Sequence, residues 1–325
     1  MPRAPRRRLI IGLSGVACVA LAFVLGPRVD FEDRWVEPTL PVDLDTYLQR
    51  REAEVADLRP GDGKAIVWAD PDAPAVTPVS LVYLHGFSAD RHEVEPVVSE
   101  LARELGANVY FTRLPGHGRD AAAMGEATVE AWLDDAAEAV AIGGYVGERV
   151  VLVGTSTGAT LALWAAAREE ARGRIGALVL ISPNLGLRDP AAPLLLWPWG
   201  GAIARMIVGP ERCFEPKNAE HARHWTECYP TRALLPMMAL VDHVRSLDAG
   251  SVNVPTLVIY SPDDEVVDPS ETDRVMARLA AVPPEVYVAE GSTDPERHVV
   301  AGDITSPETT EAVRERILGF LTSAH

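Results

Sequence analysis

The stretch from Val150 to Gly158 constrains the fold more than any other part of this chain. Four apolar residues, Val150 to Val153, run into Gly154-Thr155-Ser156-Thr157-Gly158, and a helical stretch follows from about Ala159 to Ala171. A serine between two glycines, at the point where a strand becomes a helix, predicts a sharp turn with strained backbone at Ser156. The glycines let strand and helix approach closely. Such a turn lifts the serine Oγ above the end of a sheet, and the helix N-terminus behind it favours developing negative charge. The five letters alone are common in loops, so the reading depends on what surrounds them.

The surroundings alternate. Apolar runs at Ala65–Trp68, Val79–Leu84, Asn108–Phe111, Val150–Val153, Ala177–Ile181, Thr256–Tyr260 and Val286–Val288 read as strands. Helical spacings lie between them, at about Val94–Leu105, Val129–Val140, Ala159–Ala171, Glu271–Leu279 and Glu308–Leu321. This pattern predicts an α/β fold, with a mostly parallel sheet flanked by helices on both faces. Between Ile181 and Val254 no clear strand appears. That is too long for a bare loop, so an inserted helical cap is expected at about residues 186–250 of a domain spanning 64–325. Residues 29–63 read as an acidic tether followed by a helix, with Leu44, Tyr47, Leu48, Val55 and Leu58 at helical spacings.

A serine hydroxyl needs a base, and the base needs an orienting acid. Of eight histidines, only His298 and the terminal His325 follow a plausible acid. A chain terminus is prone to fray, which leaves His298. The acid belongs just past the strand Thr256–Tyr260, where Asp263 and Asp264 both qualify. Asp264 is preferred because apolar Val266 and Val267 follow it and shield a carboxylate. Two backbone N–H groups should receive the oxyanion: that of Thr157, next to the serine, and that of Phe87 in His85-Gly86-Phe87-Ser88. His85 itself reads as a brace for that loop. Chemistry of this kind requires no cofactor and no catalytic metal.

With these motifs assembled, the chain resembles the α/β-hydrolase superfamily, in particular bacterial carboxylesterases and monoacylglycerol-lipase-like serine hydrolases. His85-Gly86-Phe87-Ser88, Leu114-Pro115-Gly116-His117-Gly118, Gly154-Thr155-Ser156-Thr157-Gly158, Asp264-Glu265-Val266-Val267 and His298-Val299-Val300 fall in family order. The resemblance runs from about Ala65 to the C-terminus. It implies the α/β-hydrolase fold, a triad of Ser156, Asp264 and His298, and oxyanion donors at Phe87 and Thr157. It also implies hydrolysis of carboxylic esters through an acyl-enzyme, with peptidase, thioesterase and lactonase chemistry as alternatives using the same groups. A catalytically silent, membrane-tethered binding protein is the alternative from another class. Ala159 stands where a glycine often follows the turn, and Arg297 where a small residue usually precedes the histidine.

The expected partner is a small ester with an apolar group. Leu194–Leu196, Trp197 and Trp199 suggest an apolar substrate pocket in the cap. Cys213, His221, His224 and Cys228 form a second cluster there, readable as a zinc set, as a Cys213–Cys228 disulfide or as two buried thiols. The formal net charge is −17, although five of the 30 basic residues lie among the first 28, where there are no acids. A body so acidic repels phosphate backbones, which excludes nucleic acid as a partner. Lysine occurs only at Lys64 and Lys217.

The N-terminus reads as a membrane element. Arg3, Arg6, Arg7 and Arg8 precede the uncharged run Leu9–Leu25, whose 17 residues reach about 25 Å as a helix. Residues 1–28 are therefore expected to be an uncleaved anchor, with signal-peptide cleavage and secretion as the alternative. The arginines would hold the N-terminus inside and place the catalytic domain outside the cytoplasmic membrane.

Overall fold

Strands in this chain are built from β-branched and aliphatic residues that turn alternate side chains to opposite faces. The computed structural model describes residues 21–279 and 281–323. Its strands are β1 Ala65–Val67, β2 Thr77–Leu84, β3 Asn108–Phe111, β4 Gly147–Thr155, β5 Ile175–Ile181, β6 Glu211–Cys213, β7 Cys228–Pro230, β8 Thr256–Tyr260 and β9 Glu285–Val288. Seven of them form one sheet in the order β1-β3-β2-β4-β5-β8-β9. All pairings in it are parallel except β1 with β3.

The sheet separates two apolar layers. On one face Val82, Leu84, Val150, Leu152, Leu178 and Leu180 pack with Trp132 and Trp164 from the helices Val129–Val146 and Thr157–Ala166. On the other, Leu81, Tyr83, Val151, Val153, Val179 and Ile181 meet the helices Val97–Leu105 and Pro307–Ser323. Each fully buried aliphatic side chain contributes about 1.5–3 kcal/mol relative to exposure. Both faces of β4 are thus fixed by packing, and its C-terminal end holds Ser156 at the mouth of the sheet.

Between β5 and β8 lie a 3₁₀ turn at Ala192–Leu196 and the helices Gly200–Val208, Ala219–His224 and Leu234–Ser246. Two strands that the sequence pattern did not reveal also lie here. β6 and β7 form an antiparallel ribbon in which Cys213 faces Cys228, and the two are joined as a disulfide. Three residues per strand are too few to show an alternating pattern. The disulfide also removes the Cys-His-His-Cys zinc set: His221 Nδ1 accepts from the Lys217 N–H at 3.0 Å, and His224 turns to Asp90.

The N-terminal expectations need correction. Among the described residues, no helix is long and apolar enough to cross a membrane. This overturns the expected single span with an extracytoplasmic catalytic domain. Most of the Leu9–Leu25 run lies outside the described residues. Its described end packs on protein: the Phe23 ring meets Trp197 edge to face at 6.1 Å, and the Trp199 indole donates to the Ala22 carbonyl at 3.1 Å. The segment expected to be a free tether is also held to the body. Trp35 stacks on Trp164 at 5.6 Å, and Asp33 accepts hydrogen bonds from the Trp164 indole at 2.9 Å and from Arg168 at 3.0 Å. The helix that follows spans Leu44–Ala53, shorter than the apolar spacing suggested.

Candidate active site

Ser156 stands between the last residue of β4 and the first of the helix Thr157–Ala166, with φ 52° and ψ −116°. A non-glycine residue in that region is strained, and such strain costs on the order of 1–3 kcal/mol. The packing around it shows why the turn is nonetheless kept. A Cβ on Gly158 would lie 2.0 Å from the Leu84 carbonyl oxygen, and one on Gly154 would lie 2.6 Å from the Ala159 nitrogen. The Ser156 N–H donates to the Ile181 carbonyl at 2.9 Å. Its hydroxyl does not cap the helix and is left to face His298.

His298 Nε2 lies 3.0 Å from Ser156 Oγ, and its Nδ1 lies 2.8 Å from Asp264 Oδ2. Asp264 is fully buried, and its Oδ1 accepts the backbone N–H groups of Val266 and Val267 at 2.8 and 2.9 Å. Neighbouring Asp263 is exposed and does not reach the histidine. Burial disfavours the imidazolium, but Asp264, Glu93 and Asp294 outweigh it, so the His298 pKa is raised.

Two supporting groups carry no sequence motif. Asp294 accepts the backbone N–H groups of His298 and Val299, both at 2.9 Å, and pairs with Lys217. Burial pushes its carboxyl up, but Lys217 and these N–H groups more than offset that and hold it below its ordinary value. Glu93 accepts from the Gly86 N–H at 2.7 Å and the Tyr83 hydroxyl at 3.0 Å, and burial lifts its carboxyl to about 7. Both are acids in loops or short turns. Only the fold brings them to the histidine and to the His85-Gly86-Phe87 loop.

That loop is held from a second side. His85 Nε2 accepts the Leu114 N–H at 3.0 Å, so its Nδ1 carries the proton shared with the Gly86 carbonyl at 2.9 Å. Burial drives the His85 pKa down to about 4 and keeps the ring neutral. The Phe87 ring packs edge to face on Tyr229 of the cap at 5.2 Å. Among the described residues, no protein acceptor takes the N–H of Phe87 or of Thr157.

Phe87, Ser156 and His298 open into a cavity of about 280 Å³ beneath the cap. Leu194, Leu195, Ile203, Leu234 and Met237 line its apolar side, whereas Lys217, Glu265 and Glu296 give it a polar side. Trp197 and Trp199 do not line it. They are about half exposed and cover the described N-terminal segment instead, with the Trp199 N–H donating to the Pro27 carbonyl at 2.9 Å. Trp199 adopts a left-handed conformation, with φ 66°, and directly precedes the helix Gly200–Val208.

Comparison with known proteins places the chain among hydrolases. Residues 78–293 match the Hydrolase_4 family, described as serine aminopeptidase, S33. A thermostable monoacylglycerol lipase from Bacillus sp. (strain H-257) is 26% identical over 240 residues, covering 72% of this chain and 88% of that protein. Among solved structures, one from a study of the metagenome-derived lipolytic enzymes LipS and LipT superposes with a TM-score of 0.67 at 21% identity, covering 82% of this chain and 99% of its own. A soluble variant of the Saccharomyces cerevisiae monoglyceride lipase, bound to a substrate analogue, gives 0.62 at 12% identity, covering 81% and 91%. At these identities the solved structures speak to the fold, which they share with this chain.

Proposed function

Because the chain belongs to the Hydrolase_4 family, we propose that it is a serine hydrolase that cleaves carboxylic esters carrying a single apolar acyl chain. The observation that carries this reading is the Asp264–His298–Ser156 hydrogen-bond relay opening on an apolar cavity. In the reaction, Ser156 Oγ attacks the ester carbonyl while His298 Nε2 takes its proton. Asp264 holds the Nδ1–H and stabilises the imidazolium. The N–H groups of Phe87 and Thr157 receive the oxyanion. His298 then protonates the departing alkoxide, and water, activated by the same nitrogen, releases the acid.

The cavity volume of about 280 Å³ lies at the small end of ligand pockets, which run from about 300 to 1,000 Å³. That favours a monoacyl ester over a bulky triester, and the monoacylglycerol lipase relative supports the same choice. The family description raises aminopeptidase activity as an alternative. A free α-amino group calls for an unpaired carboxylate near the scissile bond. Here Lys217, paired with Asp294 and Glu296, places a cation on the polar side of the cavity, while Glu265 on the same side has no ion pair among the described residues, so the amide arm of the panel below separates the two activities.

A panel of p-nitrophenyl and monoacylglycerol esters of increasing chain length, run beside aminoacyl amides, tests the reading. A fluorophosphonate probe should label the wild type and not Ser156→Ala. Ester turnover should exceed amide turnover and fall about 10⁴- to 10⁶-fold in Ser156→Ala. Faster turnover of aminoacyl amides than of any ester would overturn the choice of substrate class.

A further inference from the structure

Away from the reaction centre, four side chains converge that the chemistry above does not use. Asp62, Asp90, His92 and His224 each present one carboxylate oxygen or imidazole nitrogen, and these four atoms all lie within 4.8 Å of one another. They come from separate parts of the chain. Asp62 precedes β1, Asp90 caps the 3₁₀ turn Arg91–Val94 that contains His92, and His224 ends the cap helix Ala219–His224. We propose that these four side chains form a zinc site that fastens the cap to the body of the protein.

The donor set selects the cation. Two imidazole nitrogens with two carboxylate oxygens suit a four-coordinate borderline ion such as Zn²⁺, whereas Ca²⁺ and Mg²⁺ prefer oxygen alone. The two rings lie with centroids 4.1 Å apart and Asp90 bridges their edges, with His224 Nδ1 2.8 Å from its Oδ2 and His92 Nδ1 2.9 Å from its Oδ1. Asp62 Oδ1 is 4.0 Å from His224 Nδ1. Ligands at about 2.0–2.1 Å from a tetrahedral ion stand roughly 3.3 Å apart, whereas the four atoms here lie within 4.8 Å of one another, so closing on an ion takes side-chain shifts of up to about 1.5 Å.

Asp62 is 3% exposed, and its Oδ2 pairs with Arg59 Nε at 2.8 Å, which leaves Oδ1 to face His224. The Asp90 carboxylate belongs to the same buried cluster. Two carboxylates crowded in a buried space repel each other, and a divalent cation between them removes that repulsion. Glu220 Oε2 stands 3.6 Å from His224 Nε2, where an outer carboxylate orients a ligating imidazole. The site would act on the fold rather than on the reacting atoms. Asp90 follows Phe87 by three residues, and the cap residue Thr226 donates to the Ser88 carbonyl at 2.8 Å.

The test uses the full-length chain, stripped with a chelator and titrated with zinc, with bound metal measured by elemental analysis and Tm by calorimetry. One zinc should bind per chain with a Kd in the micromolar range or tighter, and Tm should rise by several degrees. His92→Ala, at a partly exposed position, should keep the fold and weaken binding at least about 10-fold, as should His224→Gln. Failure of the wild type to bind one equivalent, or equal binding by wild type and His92→Ala, would overturn the proposal. Probe labelling of Ser156 reports on the hydrolase reading separately.

Discussion

At the scale of single residues, the strained turn at Ser156, the proposed nucleophile, was the most legible part of the candidate site. Strain at a non-glycine residue is tolerated only where neighbours enforce it, and glycines 154 and 158 are what let the neighbours come close. The acid was harder to choose, and the reason for the choice changed with the structure. Val266 and Val267 hold the Asp264 carboxylate through their backbone N–H groups, a contact that side-chain type does not reveal. A direct comparison follows: Asp264→Asn should lower kcat by up to about 10⁴-fold through the wrong imidazole tautomer, while Asp263→Asn, at an exposed position, should stay within about threefold. Steady-state kinetics of the two variants decide it, and a crippled Asp263→Asn beside a normal Asp264→Asn would reverse the assignment. The pH dependence has a definite sign. His298 must be neutral to act as base, and its pKa is raised, so kcat/KM should fall on the acid side with a midpoint above the ordinary value of about 6.5. The stability contribution runs the other way. It is fully present below the unfolded pKa and is lost as pH rises through the folded one. Asp294→Asn removes one of the charges that raise His298, so its kcat/KM profile should move toward lower pH. A midpoint that stays put in that variant would show that Asp294 acts only as a structural brace.

At the scale of elements, all seven strands of the main sheet could be read from apolar runs: the five inner strands because a parallel strand buried on both faces is apolar at nearly every position, and the partly exposed edge strands β1 and β9 from their β-branched residues. The cap was legible as an interruption and not as a structure. Its short ribbon and turns carry no periodicity, and two of its tryptophans mislead. Trp197 and Trp199 look like pocket residues by type, yet smaller Leu194 and Leu195 line the cavity while the indoles face the N-terminal segment. Asp294, Lys217 and Glu93 were invisible for a related reason. An acid or a lysine in a loop has no pattern, and only long-range packing gives it a partner. The cavity geometry supports a prediction about chain length. Leu195→Trp adds bulk to the apolar side of the pocket and should raise KM for octanoyl esters about 10-fold or more while leaving acetate esters nearly unchanged. Equal effects on both esters would mean that the acyl chain lies elsewhere.

At the scale of the whole molecule, the uneven charge is resolved by placement. Both lysines of this acidic chain sit in ion pairs: Lys64 with buried Asp135 and Glu138, and Lys217 with buried Asp294 and exposed Glu296. The acidic N-terminal segment is likewise fixed by specific partners rather than by net charge. Asp33 joins that segment to two helices at once, accepting from the Trp164 indole and Arg168 and lying 3.0 Å from His243 Nε2. Trp164 is fully buried, so removing its acceptor strands an indole N–H away from water. An unsatisfied buried donor costs about 1–3 kcal/mol. The ion-pair part adds less, because the Arg168 and Asp33 side chains are 21% and 26% exposed and solvent screens them. Asp33→Ala should therefore lower the urea midpoint by an amount equivalent to about 1–3 kcal/mol with an unchanged slope. Asp33→Asn keeps a carbonyl acceptor for the indole and should lose about half as much or less. An Asp33→Ala variant as stable as the wild type would show that residues 29–35 unfold independently of the sheet and add nothing to its stability.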